Sequence, residues 1–319
     1  MSIPCTFDEL KQRPGPPLNA WGLYGEHDEL GRLNLITPEA VKRGRDAIKH
    51  GICINLNLSL SLDPPISPMR GGLTHEIIGR EYCIDSRVSF NTQMSTQWDG
   101  FRHFPYKHWP RQGVYTYHGG MTEAEARDPK ILKYGAQSYA RRPISSRAHL
   151  LDVAAYLERH GLPSLSFFDN STAIPLKVLQ ECAKESNVHL QPGDILVVRT
   201  GWTEAYFALS ADEVEARRKS MTGVCGVDQT EEVMRWHWEN GIAAVVSDAG
   251  AYERYPSPVF PSIHEVFLAG WGLPMGELFD LRELAETCAR LKQWTFLFTS
   301  MALNIDASIA TPPNAQAIL

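Results

Sequence analysis

From Ile52 to Leu62 an aliphatic residue falls on every second position, with Cys53, Asn55, Asn57, Ser59 and Ser61 between them. Period two places one apolar face on an extended chain, so the pattern predicts a strand over 52–62. Just upstream, Thr37-Pro38-Glu39 supplies an N-cap, a proline at the first helical position and an acid in the first turn, predicting a helix that runs to His50 before Gly51 ends it. Apolar runs at His149–Val153, Ile195–Arg199, Ile242–Val246 and Thr295–Thr299 predict buried strands, introduced by turn signals such as Pro192-Gly193-Asp194 and Asn240-Gly241. Between them, Ser210 with Glu213 and Asp280 with Glu283 have capping-box spacing, and 174–185 and 228–239 carry apolar residues at helical intervals. Strands alternating with helices give an α/β, or mixed α+β, domain.

At 319 residues and 43% hydrophobic the chain can bury a large core. With no linker, repeat or low-complexity break, it reads as a single domain over 1–319, with residues 1–20 a proline-rich N-terminal arm long enough to reach a neighbouring subunit. A net charge of −6 without any Lys/Arg stripe argues against nucleic acid. The N-terminus has neither the basic nor the apolar region of a signal peptide, and no apolar stretch is long enough to span a bilayer. The expectation is a soluble, cytoplasmic protein. Six scattered cysteines form no C-x-x-C pair and read as small buried hydrophobes.

Chemistry concentrates between Gln93 and His103, which reads Q-M-S-T-Q-W-D-G-F-R-H. Gln93, Gln97 and Asp99 at alternate positions of an extended stretch would emerge on one face, as a metal or polar substrate requires. The same residues also fit an ordinary polar strand edge. Asp248, in Ser-Asp-Ala-Gly after the 242–246 run, and Arg199, closing the 195–199 run, sit at the carboxyl ends of strands, where α/β proteins often hold functional groups. Each fits a structural cap or ion pair equally. No dinucleotide fingerprint, Walker sequence or nucleophile elbow is present.

The 93–103 segment resembles the signature of the cyclase family, H-x-G-T-H-x-D-x-P-x-H, shared by bacterial-type kynurenine formamidases and isatin hydrolases. Thr96, Asp99 and His103 match it, whereas Gln93 and Gln97 replace both leading histidines, Ser95 the glycine and Phe101 the proline. The resemblance extends through the stretch from Trp21, Gly193–Trp202, S-D-A-G-A-Y-E from Ser247, and His264–Glu277. It implies a swivelling β/β/α architecture, a small aromatic or cyclic substrate, and assembly as a homodimer or higher homo-oligomer. It also implies catalysis by His103, Asp99, Glu277 and His264, with Gln97, Asp99, His264 and Glu277 as metal ligands. Gln93, Trp98, Phe101, Arg199, Trp202 and Asp248 are candidates for substrate binding, and Phe104, Trp109 and Trp271 could add aromatic walls. Amide oxygens are harder donors than imidazole, so the Gln-for-His changes favour manganese over zinc, or no metal at all.

Three functions follow. The first is a hydrolase that opens a cyclic amide, lactone or N-acyl bond with metal-activated water and His103 as acid/base. The second is a metal-free dehydratase or cyclising enzyme of secondary metabolism using His103 and Glu277. The third is a catalytically silent binder of small molecules.

Overall fold

The computed structural model describes residues 3–220 and 222–319. Its frame is a nine-stranded sheet in the order Cys53–Asn55, Gln316–Ile318, Thr295–Ser300, Ile144–Asp152, Ile195–Arg199, Ala244–Ser247, Met275–Glu277, Gln97–Asp99 and Ala310–Thr311. The four strands from 144–152 to 275–277 run parallel, and antiparallel strands flank them on both sides. Successive residues of the parallel strands go to opposite cores. Leu151, Leu196, Val198 and Val245 enter one apolar cluster, and Leu150, Ile195, Val197 and Val246 the other. Burial on both faces explains why these strands read as unbroken apolar runs.

Helix Pro38–Asp46 packs against strand 144–152, capped by Thr37 as its sequence predicts but ending a turn before His50. Helices Leu176–Glu185 and Glu231–Glu239 lie within the predicted segments, the second capped by Thr230. The Ser210–Glu213 capping box forms at helix Ala211–Ser220. The Asp280–Glu283 box does not, because Asp280 is taken by the backbone and guanidinium of Arg282.

The period-two segment keeps its burial but not its ladder. Only Cys53–Asn55 forms a strand, yet Ile54, Leu56 and Leu58 are buried while Cys53, Asn55 and Ser59 face solvent. Beyond Leu56, which still bonds the backbone of Ala315 and Asp280, side chains intervene: the Asn57 amide and backbone N–H donate to Asn55 Oδ1, and Ala315 N–H donates to Asn57 Oδ1. Local asparagine bonds thus end the strand that periodicity extends.

The N-terminal arm does not reach outward. Phe7 and Leu10 are buried, Arg235 pairs with Asp8, and the backbone oxygens of Cys5, Pro17 and Leu18 accept from Trp238, Tyr106 and Trp271. Its apolar residues and free carbonyls find partners on the chain's own body. A hairpin of Thr74–Gly79 and Ile84–Ser89, which the pattern did not predict, projects with almost every residue exposed.

Candidate active site

The antiparallel register of strands 275–277 and 97–99 builds the centre of the site. Glu277 lies opposite Gln97, Gly276 opposite Trp98, and Met275 opposite Asp99. Alternation sends Gln97 and Asp99 to one face and Trp98 to the other, where its indole packs edge-on to Phe279 and Phe298 and donates to Ser300 Oγ. Gly276 is needed across from it, since a Cβ there would sit 2.7 Å from Phe279 and 3.0 Å from Trp98. The directly opposed pair on the polar face is bonded: Gln97 Nε2 donates to Glu277 Oε2 at 2.7 Å.

Three further segments converge here. Gln93, in the loop before the strand and not in the strand itself, donates through Nε2 to Asp99 Oδ1 at 2.6 Å and lies 3.2 Å from His103 Nε2. His103 follows the strand in a tight turn and puts Nε2 3.6 Å from Asp99 Oδ2. His264 stands at the start of a wide-turn helix over Glu265–Trp271 and puts Nε2 3.5 Å from the same oxygen and 3.8 Å from Glu277 Oε1. Asp99, His103, His264 and Glu277, distant in sequence, therefore share one cluster. Asp99 Oδ2 is buried and has no hydrogen-bond partner.

Two residues that the sequence did not single out complete the cluster. Glu253, wholly buried, holds His264 Nδ1 at 2.8 Å, which leaves Nε2 turned towards Asp99. It ends the S-D-A-G-A-Y-E run, whose position beside a family-like motif was the available signal. Arg70 donates through Nη1 to the Gln93 carbonyl and to Gln97 Oε1. No local pattern marks it. Phe104 covers the His264 ring edge-on at 4.7 Å between centroids.

The other candidates lie elsewhere. Asp248 accepts from Thr200 N–H, Thr200 Oγ and Gly201 N–H, tying down the end of strand 195–199, and burial raises its carboxyl to about 6 despite those bonds. Arg199 is saturated by Asp152 and Glu204. Trp202 stacks on Tyr206 inside an apolar cluster, Phe101 packs on His118 and Tyr139, and Trp271 is a core ring against Phe267. In each case neighbouring groups engage the side chain away from the Asp99 cluster.

The electrostatics separate the four central groups. Burial opposes charge on His264, but Glu253, Asp99 and Glu277 outweigh it and hold the imidazolium well above the usual histidine value. Burial lowers His103, only partly offset by Asp99 and reinforced by the charges of His264 and Arg70. Burial raises Glu277 well above the carboxylate range, and the Asp99 charge adds to it. Asp99 stays below its ordinary value, since His103 and His264 outweigh its burial. These directions favour the neutral form of His103, the charged form of His264, the protonated form of Glu277 and the ionised form of Asp99. Environments that push titratable groups apart in this way are typical of acid–base sites. Solvent meets the cluster through His103, whose side chain is 21% exposed.

The family model "Putative cyclase" matches residues 37–254. The chain belongs to the cyclase family. Among solved structures, that of a novel cyclase superposes with a TM-score of 0.81 at 25% identity, covering 94% of this chain and 99% of its own. Isatin hydrolase A from Labrenzia aggregata, bound to benzyl benzoate, gives 0.56 at 13% identity over 86% of this chain and 94% of its own. A predicted metal-dependent hydrolase from Bacillus stearothermophilus gives 0.51 at 12% identity over 83% and 97%. At those lower identities the likeness is one of fold. No curated protein sequence matches the chain. Among the described residues, no helix is long and apolar enough to cross a membrane.

Of the ligand set expected from the sequence, Gln97, Asp99, His264 and Glu277, the Glu277 Oε1 atom lies 3.8 Å from His264 Nε2. Gln97 and Glu277 are bonded to each other, while Asp99, His103 and His264 bring their ligand atoms within 4.8 Å of one another.

Proposed function

We propose that this cyclase-family chain is a hydrolase that opens a cyclic amide, lactone or N-acyl bond of a small aromatic or cyclic molecule. The observation that carries the reading is the gap around Asp99 Oδ2. A buried carboxylate oxygen without a partner faces two imidazole nitrogens at 3.5 and 3.6 Å, too far for strong direct bonds and spaced for a water or a cation between them.

The donor set fits a divalent cation, with Asp99, His103 and, once the incoming ion displaces its Nε2 proton, His264 as the residues that would hold it. Two imidazoles and one carboxylate suit zinc or iron as well as manganese, so the preference for manganese argued from Gln97 loses its main support. When bound, such an ion supplies a water acidified towards neutrality and an electrophile for the carbonyl. The chain's own groups divide the proton work. Asp99 Oδ2 orients the attacking water and neutral His103 takes its proton as oxygen bonds to the acyl carbon. The C–N or C–O bond then breaks, and protonated Glu277 gives its proton to the departing atom. Gln93 and Gln97 keep the two carboxylates in place through their amide N–H groups.

His103 cannot be ligand and base at once, and chelation separates the two uses. Cyclic amides, lactones and formyl-anilines are screened with zinc, with manganese and with chelator. Turnover is expected, and His103→Ala should reduce it by roughly 10²–10⁴-fold. No turnover under any condition, or full activity of the His103→Ala variant, would sink the proposal. Activity that survives chelation would favour the metal-free dehydratase or cyclising chemistry, which the Gln93–Asp99 and Gln97–Glu277 bonds also support, because they hold Asp99 Oδ1 and Glu277 Oε2 without an ion. We propose a homo-oligomer on the hairpin, whose register puts exposed Ile77, Ile84 and Val88 on one face and the Glu76–Arg87 pair on the other. A two-stranded ribbon is marginal in water without a covering surface.

A further inference from the structure

We propose that Arg70 binds a carboxylate at the mouth of the site. That group is carried by the substrate or released when the acyl bond is cleaved, and the second source rests on the hydrolytic reading above. Arg70 ends a short 3₁₀ turn just before the hairpin, and the chain returns from the hairpin to Gln93. Its Nη1 donates to the Gln93 carbonyl at 2.6 Å and to Gln97 Oε1 at 3.1 Å. The second bond orients the Gln97 amide so that its nitrogen, not its oxygen, faces Glu277. One end of the guanidinium is therefore occupied in building the site.

The other edge is free. Nε and Nη2 of Arg70 have no acceptor and the residue forms no ion pair among the described residues, although its charge acts on Asp99, His103 and Glu277. Elsewhere in this chain the same edge takes carboxylates two-pronged. Arg147 holds Asp194 through Nε at 3.1 Å and Nη2 at 2.7 Å, and Arg282 holds Asp280 at 2.9 and 2.8 Å. Arg199 donates from the same two nitrogens to the single oxygen Oε1 of Glu204. A planar fork with two parallel N–H groups matches a carboxylate in geometry as well as charge. Arg70 is half-buried and fixed at one end, and its charge acts on the partly exposed His103, through which solvent meets the cluster. A singly charged group suits the place, because the ionised Asp99 nearby disfavours a dianion.

Calorimetric titration of the full-length protein with benzoate and with its neutral isostere benzamide tests the fork without requiring turnover. A failure here would leave hydrolysis standing, and an inactive enzyme would leave this measurement readable. Benzoate is expected to bind at least tenfold more tightly than benzamide. Arg70→Gln should erase that preference, and Arg70→Lys, which keeps the charge but loses the fork, should retain part of it. No preference in the wild type, or the same preference in Arg70→Gln, overturns the proposal. Kinetics separate the two sources. A KM raised by Arg70→Gln for N-formyl-4-aminobenzoate but not for formanilide assigns a carboxylate borne by the substrate. An unchanged KM on both with weaker inhibition by formate assigns the released one, and no change in any of these overturns both.

Discussion

Replacing Glu253 with glutamine removes one charge from the buried environment of His264 while keeping an acceptor of the same shape. In the structure Nδ1 lies 2.8 and 3.1 Å from the two Glu253 oxygens, while Asp99 Oδ2 and Glu277 Oε1 stand 3.5 and 3.8 Å from Nε2. Two unit charges about 3 Å apart attract by roughly 5 kcal/mol at an effective dielectric constant near 20. Desolvation of both groups offsets much of this, and the substituted amide would keep a hydrogen bond, so the net loss of stability should be about 2 kcal/mol. The pH dependence carries more information than the magnitude. A histidine whose folded pKa is raised contributes stability that is fully present below its unfolded value, near 6.5, and is lost as pH rises through the folded value. His264 is raised well above 6.5, chiefly by Glu253 once burial is overcome. The difference between wild type and Glu253→Gln should thus be greatest near pH 6 and shrink as pH rises past neutrality. Urea denaturation followed by circular dichroism at pH 6, 7, 8 and 9, with chelator present so that no ion competes for the ring, reads this directly. A destabilisation that stays constant with pH, or grows towards pH 9, would refute the charged-histidine assignment.

Three other outcomes are expected. Zinc or manganese added to chelated protein should raise the melting temperature with one site per chain, and Asp99→Asn should abolish that rise, because it neutralises the one carboxylate facing both imidazoles. Gly276→Ala should destabilise by about 1–3 kcal/mol in urea melts, since its new methyl meets Phe279, Trp98 and Val246 at 2.7–3.1 Å; a neutral result would mean that the strand can shift away from Trp98. The paired changes Ile77→Lys and Ile84→Lys should lower the mass seen by light scattering to that of one chain, without loss of the helical signal, if the hairpin face is where copies meet.

Local pattern made much of the frame legible. The strand over 195–199 coincides with its apolar run, and the strands at 144–152, 244–247 and 295–300 differ from theirs at the ends. Sequence also flagged Gln93, Gln97 and Asp99; a period of two accounts for the shared face of 97 and 99, whereas Gln93 joins them from the preceding loop. Sequence left Trp98, Phe101, Arg199, Trp202 and Asp248 open between a site role and a structural one, because a residue's own neighbourhood cannot reveal whether a distant partner has already engaged it.

The sequence by itself determined the apolar alternation, the helix starts and the presence of carboxylates and imidazoles in motif-bearing segments, since these follow from backbone period and side-chain type. Tertiary structure alone decided that Glu253 would hold His264, that Arg70 would orient Gln97, and that His103 would meet Asp99 and His264. The physical reason is that hydrogen bonds and charge interactions act over a few ångströms in space. Residues 99 and 264, 3.5 Å apart in the fold, lie 165 positions apart along the chain, a separation that no local pattern records.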